Sequence, residues 1–256
     1  MDLKLNGRTA LITGASKGIG LGVAKWFARE GVNLCLVARS GDALAKEAEA
    51  IRKTSQVNVQ ALAADLSVAA ERDRVFETFP DVDILVNNAG AIPGGTIADV
   101  DEATWRAAWD LKVFGHVGMT RLYVARMKER GRGVIINIIG AGGERMSYGY
   151  IAGAAGNASL MAFTRAMGGS SPSFGVRVVG INPGPVATER LEYLTRQRAA
   201  AAGDESKWKE NYAKMPFGRP AHVDEIAATA VFLASDLSAY TSGTIVTVDG
   251  GMSNQG

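Results

Sequence analysis

Three glycines are placed for binding chemistry. Gly14, Gly18 and Gly20 stand in the run TGASKGIG (13–20), between an apolar stretch, Thr9 to Thr13, and a helical pattern carrying Leu21, Val23, Ala24 and Phe27. Glycine lets a backbone turn sharply out of a strand and come close to a ligand. The helix that follows offers unpaired N–H groups and the positive end of its dipole to an anion. A pyrophosphate fits such a cradle. The spacing G-x-x-x-G-x-G differs from the G-x-G-x-x-G of the commonest dinucleotide fingerprint. Other chemistry is thinly supplied. The one cysteine, Cys35, lies in the apolar run Val32 to Val37 and reads as a small buried hydrophobe, so no intrachain disulfide is expected. No His, Cys and carboxylate cluster has metal-site spacing, so no metal is expected.

The cradle needs a strand before it and a helix after it, and the chain repeats that unit from end to end. Strand-like runs at 33–38, 58–63, 83–87, 134–139, 176–181 and 244–248 alternate with helical stretches near 19–29, 42–53, 68–77, 150–167 and 224–234. A long helical region, 102–130, is expected to break near Asp110 or Lys112. Apolar, β-branched strands alternating with helices predict an α/β fold of the doubly wound Rossmann type, with a parallel sheet covered on both faces. No repeat or linker divides the chain, so residues 1–256 are read as one domain. The segment 188–215 departs from the rhythm, and Leu191, Leu194, Trp208 and Tyr212 suggest one or two amphipathic helices over the ligand side. Its basic run Arg190, Arg196, Arg198 reads as a solvated face.

A formal charge of +2 argues against nucleic-acid or membrane-surface partners. The N-terminal apolar run is too short for a signal peptide, and no stretch is long enough to span a bilayer. A cytoplasmic protein acting on a small molecule is expected.

Several landmarks together resemble the short-chain dehydrogenase/reductase family over almost the whole chain. TGASKGIG (13–20) is similar to its cofactor turn, which implies contacts from Gly14, Ser16, Lys17, Gly18, Ile19 and Gly20. AADLS (63–67) resembles the stretch whose aspartate meets the adenine, implying roles for Asp65 and Leu66. NNAG (87–90) resembles the motif after the fourth strand, bringing Asn88, Ala89 and Gly90 beside the cofactor. NPGPVAT (182–188) resembles the loop at the nicotinamide end, with Pro183, Gly184, Val186 and Thr188. The C-terminal stretch 218–251 matches the family's last helix and strand. The resemblance implies a seven-stranded parallel sheet, a nicotinamide cofactor and a homodimer or homotetramer. Charge then chooses the cofactor. An acid at the end of the second strand would hold the ribose hydroxyls of NAD(H). Here that strand ends Val37-Ala38-Arg39-Ser40, and Lys17 adds a second cation. Arg39 can grip a 2′-phosphate through paired hydrogen bonds, so NADP(H) is expected over NAD(H).

The catalytic half departs from the family. The resemblance implies Asn, Ser and a Tyr-x-x-x-Lys pair, and alignment on the flanking motifs puts Asp110, Gly140, Gly153 and Asn157 at those four places. Gly140 and Gly153 keep the family's separation, and neither Tyr148 nor Tyr150 has a lysine four residues on. Three readings follow. Tyr150, one helical turn before Gly153, could donate the proton through the volume that Gly153 leaves open, with Tyr148, Ser147 and Glu144 in the same loop. An iminium substrate would need no proton, and Asp110 and Glu144 would favour its positive charge. A nucleotide-binding protein without catalysis is the third. His116 is expected to be a packed or interfacial helix residue, and His222 a local cap.

Overall fold

The computed structural model describes residues 2–201 and 203–255. Seven strands form one parallel sheet: β1 (Thr9–Thr13), β2 (Asn33–Ala38), β3 (Val59–Ala63), β4 (Ile84–Asn87), β5 (Gly133–Ile138), β6 (Val176–Pro183) and β7 (Ile245–Val248). Their spatial order is β3-β2-β1-β4-β5-β6-β7, so the direction of winding reverses between β1 and β4. In open α/β sheets that switch point opens a crevice at the carboxyl ends of the strands.

Alternation along each strand separates two cores. Ile12, Leu36, Val86 and Ile136 face one side, against Val23 and Phe27 of helix α1 (Gly18–Arg29) and Ile226 and Ala230 of a C-terminal helix, Val223–Ala234. Their neighbours Leu11, Val37, Leu85 and Ile135 face the other side, against Met119, Tyr123 and Met127. Cys35 is buried in this second core, and desolvation pushes its thiol up to about 12. A polar thread crosses the core: Asn87 donates to Thr120 and Asn137, and Asn137 donates to Thr164. Net worth is roughly 1 kcal/mol per bond, but each orphaned partner would cost more, which locks the register of β4 against β5.

The remaining helices are α2 (Gly41–Thr54), α3 (Ala69–Thr78), α4 (Glu102–Trp109), α5 (Gly115–Arg130), α6 (Ile151–Ser170), α7 (Glu189–Ala201) and α8 (Glu210–Ala213); Val223–Ala234 is α9. A π turn, Asp110–Phe114, joins α4 to α5 where the break in the long helix was expected. Tyr150 stands just outside α6 as its N-cap, and the helix runs past Met167 to Ser170. At Gly168 a side chain would strike the backbone of Gly243 and Val178, so the glycine permits α6 to lie close on the sheet. Residues 188–215 form α7, a 3₁₀ turn at Glu205–Lys209 and α8. Arg196 pairs with Glu192 and Glu205 and stacks on Trp208, while the Arg198 side chain lies outside the described residues. Among the described residues no helix is long and apolar enough to cross a membrane.

Candidate active site

The glycine turn is built around Thr13 and Asn88. Thr13 Oγ1 donates to the Val86 carbonyl and accepts the amides of Asn88 and Ala89, 2.8 and 3.0 Å away. Asn88 Nδ2 returns to the carbonyls of Thr13 and Gly14. These bonds stitch the ends of β1 and β4 together at the switch point. Gly14 lies at φ 66°, and a Cβ there would press on Asn88 and Ala89. At Gly20 a Cβ would strike the Gly14 carbonyl. Gly20→Ala is therefore expected to destabilise the fold by about 1–3 kcal/mol, whereas Gly169→Ala, with open space around it, should be neutral or stabilising. Urea unfolding of the two variants beside the parent checks this.

Helix α1 starts without a side-chain cap at Lys17, and its first turn holds no acid. Its N–H groups and positive dipole end are thus left to an external anion. Lys17 Nζ reaches Glu189 at the start of α7 at 3.0 Å, with both side chains mostly exposed. An exposed pair of this kind is worth little and exchanges readily for another anion. Arg39 is exposed at the end of β2. Its charge also reaches Asp65: burial opposes ionisation there, but bonds from the Ser67 amide and hydroxyl, with Arg39, outweigh it and hold the carboxyl low. Leu66 is buried beside it. Ser16 and Ile19 are partly buried in the turn, and Gly90 is exposed at the end of the β4 loop. Across the crevice, Pro183 ends β6 and Gly184 packs on Asp249, so closely that a Cβ would clash. Val186 bridges to Ala221, and Thr188 caps α7 by accepting the Leu191 amide. The Thr188 methyl lies against Gly18, bringing this loop to the glycine turn.

Above the sheet, the glycines and Tyr150 fit one another. A side chain at Gly153 would fall on the phenol ring of Tyr150, so that ring occupies the volume the glycine leaves. A Cβ at Gly142 would also touch it, at 3.2 Å. Gly140 lies at φ 143°, where side chains are strained, and a Cβ there would meet the Asn157 amide at 2.9 Å. Asn157 is buried with its amide toward Gly140 and Gly142. Tyr150 is held from the other side as well: Gly95 and Tyr150 form a parallel bridge, with Gly95 N–H donating to Gly149 O at 2.8 Å. Burial raises the phenol's pKa, and the facing Arg190 guanidinium pulls it back down.

Within the basic run read as a solvated face, Arg190 is exposed, in keeping with that reading, and from the first turn of α7 it also donates to the Ile92 carbonyl at 2.5 Å. Asp110 is exposed at the start of the π turn, and the charged residue buried there, between Leu111 and Val113, is Lys112. Its stem lies over Gly90, and its ammonium donates to the carbonyls of Ile138 at 2.7 Å and Ile139 at 3.0 Å, at the end of β5. Burial, with the Arg190 charge, lowers its pKa to about 7. His116, one turn on, is buried, and its Nε2–H donates to the Ala89 carbonyl at 3.1 Å. Desolvation and the Lys112 charge hold it neutral, so it braces the β4 loop. Glu144 does not join Tyr150: its exposed carboxylate accepts the Thr247 hydroxyl on β7. Tyr148 is exposed, and Ser147 uses its carbonyl to hold the Tyr150 amide. His222 gives its backbone N–H to Glu225 at the start of α9.

Residues 14–253 match the family profile described as enoyl-(acyl carrier protein) reductase. The chain belongs to the short-chain dehydrogenase/reductase family. It is 34% identical over 254 residues to a D-beta-hydroxybutyrate dehydrogenase of Cupriavidus necator, covering 96% of this chain and 98% of the relative. A galactitol 2-dehydrogenase (L-tagatose-forming) of Cereibacter sphaeroides is 33% identical over 251 residues, with 97% and 96% covered. The crystal structure of L-sorbose reductase from Gluconobacter frateurii, complexed with NADPH and L-sorbose, superimposes with a TM-score of 0.93 at 32% identity over the full length of both chains. These short-chain dehydrogenase/reductase relatives are oxidoreductases, and the seven-stranded parallel sheet is the architecture shared with the solved structure.

Proposed function

We propose that this chain is an NADP(H)-dependent oxidoreductase that interconverts a small carbonyl compound and its alcohol, with Tyr150 as the proton donor. The observation that carries the reading is the seating of the Tyr150 phenol in the space over Gly153, facing Arg190. Burial keeps the phenol protonated and able to give up its proton, and the guanidinium stabilises the phenolate left behind. Asn157 lies beside Gly140 and Gly142, the second of which also packs against the Tyr150 ring.

The cofactor reading is supported by fit. The glycine turn would be filled by any side chain at Gly14 or Gly20, and the start of α1 has amides without a capping partner. Gly14, Ser16, Lys17, Gly18, Ile19 and Gly20 would hold the pyrophosphate. Arg39 and Lys17 would hold the 2′-phosphate, Asp65 and Leu66 the adenine. Asn88, Ala89 and Gly90 would line the middle, and Pro183, Gly184, Val186 and Thr188 the nicotinamide end. When bound, NADPH supplies the hydride. The L-sorbose reductase, similar over its full length, is a complex with NADPH. The segment 188–215, tied to the glycine turn through Lys17 and Glu189, is read as the substrate-side cover.

Titration with NADPH and NADH tests the cofactor half. Arg39→Asp is expected to weaken NADPH about ten- to hundredfold, the worth of one or two charge-assisted hydrogen bonds, and to leave NADH unchanged or improved. A parent protein that prefers NADH would overturn the assignment. The second reading, a nucleotide binder without catalysis, draws on Gly140, Gly153 and Asn157 standing where the family places its reacting groups. It predicts NADPH binding with no NADPH consumed on any ketone, aldehyde or imine.

A further inference from the structure

Lys112 and Arg190 bring two positive charges to the carboxyl ends of the neighbouring strands β4 and β5. Lys112 has its stem over Gly90, and Arg190 is on the carbonyl of Ile92, two residues along the same loop. Lys112 reaches the ends of β5 through Ile138 O and Ile139 O, and Arg190 reaches the loop after the adjoining β4 through Ile92 O. Lys112 bonds to two neutral carbonyls and Arg190 to one, with the Tyr150 hydroxyl also facing Arg190, and among the described residues neither stands in an ion pair. Lys112 is more than nine-tenths buried. A buried, unpaired ammonium is costly, and a second cation within electrostatic reach makes it more so. Asp110 and Glu144 give no counter-charge here: both are exposed, and Glu144 accepts the Thr247 hydroxyl. An arrangement so unfavourable by itself becomes favourable when an anion sits between the charges.

We propose that Lys112 and Arg190 form a carboxylate subsite, so that the substrate is a small keto acid, or the corresponding hydroxy acid, whose carbonyl then lies at Tyr150. The donor count matches. Of the three ammonium protons of Lys112, two are used by Ile138 O and Ile139 O, leaving one. Arg190 keeps donors beyond the one bound to Ile92 O. One free proton from each side suits the two oxygens of a carboxylate. Because Arg190 also faces the Tyr150 hydroxyl, an acid gripped there has its carbonyl near the proton donor. The site also selects against cationic imines, which the two charges repel. This subsite rests on the oxidoreductase reading for its second half, the carbonyl at Tyr150, but not for the binding of the acid.

The test uses matched pairs: pyruvate, acetoacetate and levulinate against their methyl esters, titrated calorimetrically into the full chain with NADP+ present. At least one acid is expected to bind roughly ten- to hundredfold more tightly than its ester. Arg190→Gln and Lys112→Met are each expected to remove most of that preference. Arg190 lies on an exposed helix, so the glutamine variant decides the matter even where the lysine variant fails to fold. Esters that bind as well as the acids, acids that do not bind at millimolar concentration, or a preference that survives in Arg190→Gln, would overturn the subsite. NADPH consumption separates the two readings. Acids that bind selectively but are never reduced would sink the oxidoreductase reading alone. Reduction confined to neutral ketones would sink the carboxylate subsite alone.

Discussion

Tyr150→Phe is expected to lower turnover by about 10²–10⁴-fold, the range over which a positioned general acid contributes, while NADPH binds as tightly as before. The ring is what fills the space over Gly153 and packs near Gly142, so phenylalanine preserves the packing and removes only the hydroxyl. Stability should therefore change little. A pH profile sharpens the test. In the reductive direction the parent should lose activity as pH rises through the phenol's pKa, because the donor form is the protonated one. Burial raises that pKa and Arg190 lowers it, so Arg190→Gln should move the alkaline limb upward. Single-turnover measurement of NADPH oxidation with a reducible substrate checks both. If Tyr150→Phe keeps full turnover, the proton comes from elsewhere. Gly153→Tyr is a poor alternative probe, since the new side chain must first expel the Tyr150 ring.

Lys112→Met carries the second large effect, on stability. Burial and Arg190 lower the lysine from its ordinary 10.5 to about 7. Between those two values the unfolded chain holds a proton that the folded chain has released. The unfolded state binds more protons there, so the lysine's contribution to stability rises with pH from about 7 to about 10.5 and is flat on either side. At about 1.36 kcal/mol per pKa unit, the full swing is roughly 5 kcal/mol. Below the window the buried charge is most costly, and methionine relieves it. Against this stand the lost bonds to Ile138 O and Ile139 O, about 1 kcal/mol each before any orphaning of those carbonyls. Methionine is thus expected to match or exceed the parent near pH 6, and to fall behind it progressively toward pH 10. Urea unfolding of both proteins across that range reads the difference. A gap that does not change with pH would mean that the ammonium is not electrostatically strained in the fold. His116, held neutral beside it, adds no counter-charge, and Arg190 is the other cation facing it.

The glycine turn and the sheet were legible because their signals are local. A strand such as Leu34 to Ala38 is apolar on both faces, and runs of that kind separated by helical periods imply a covered parallel sheet. The cradle is made of backbone and of residues adjacent in the chain, so spacing alone located it. The π turn was legible only as a break. A π turn adds a residue to the helical repeat and so changes which side chain faces inward, and counting at the α-helical period through Asp110–Phe114 does not show which one it is. Sequence reading singled out Asp110, whereas the fold turns Lys112 onto the strand ends. Arg190 was hidden for a different reason. Its partner Ile92 lies 98 residues away, and a basic run on an exposed helix gives no sign of such a contact until the helix is placed.

By itself, then, the sequence determined an α/β chain with parallel strands, an anion cradle at the first strand-to-helix turn and cations beside it. Periodicity and nearest-neighbour chemistry suffice for those. Only the tertiary structure decided which side chains stand around Gly140 and Gly153. The phenol of Tyr150 moves into the volume over Gly153, Glu144 is drawn off to Thr247, and Lys112 and Arg190 converge from segments distant in the chain. The charge of a binding site is a sum over groups brought together by packing, and it changes with distance and burial rather than with position along the chain. Asp110 and Glu144, close to the expected site in sequence, are exposed in the fold, while Lys112 is buried against the end of β5.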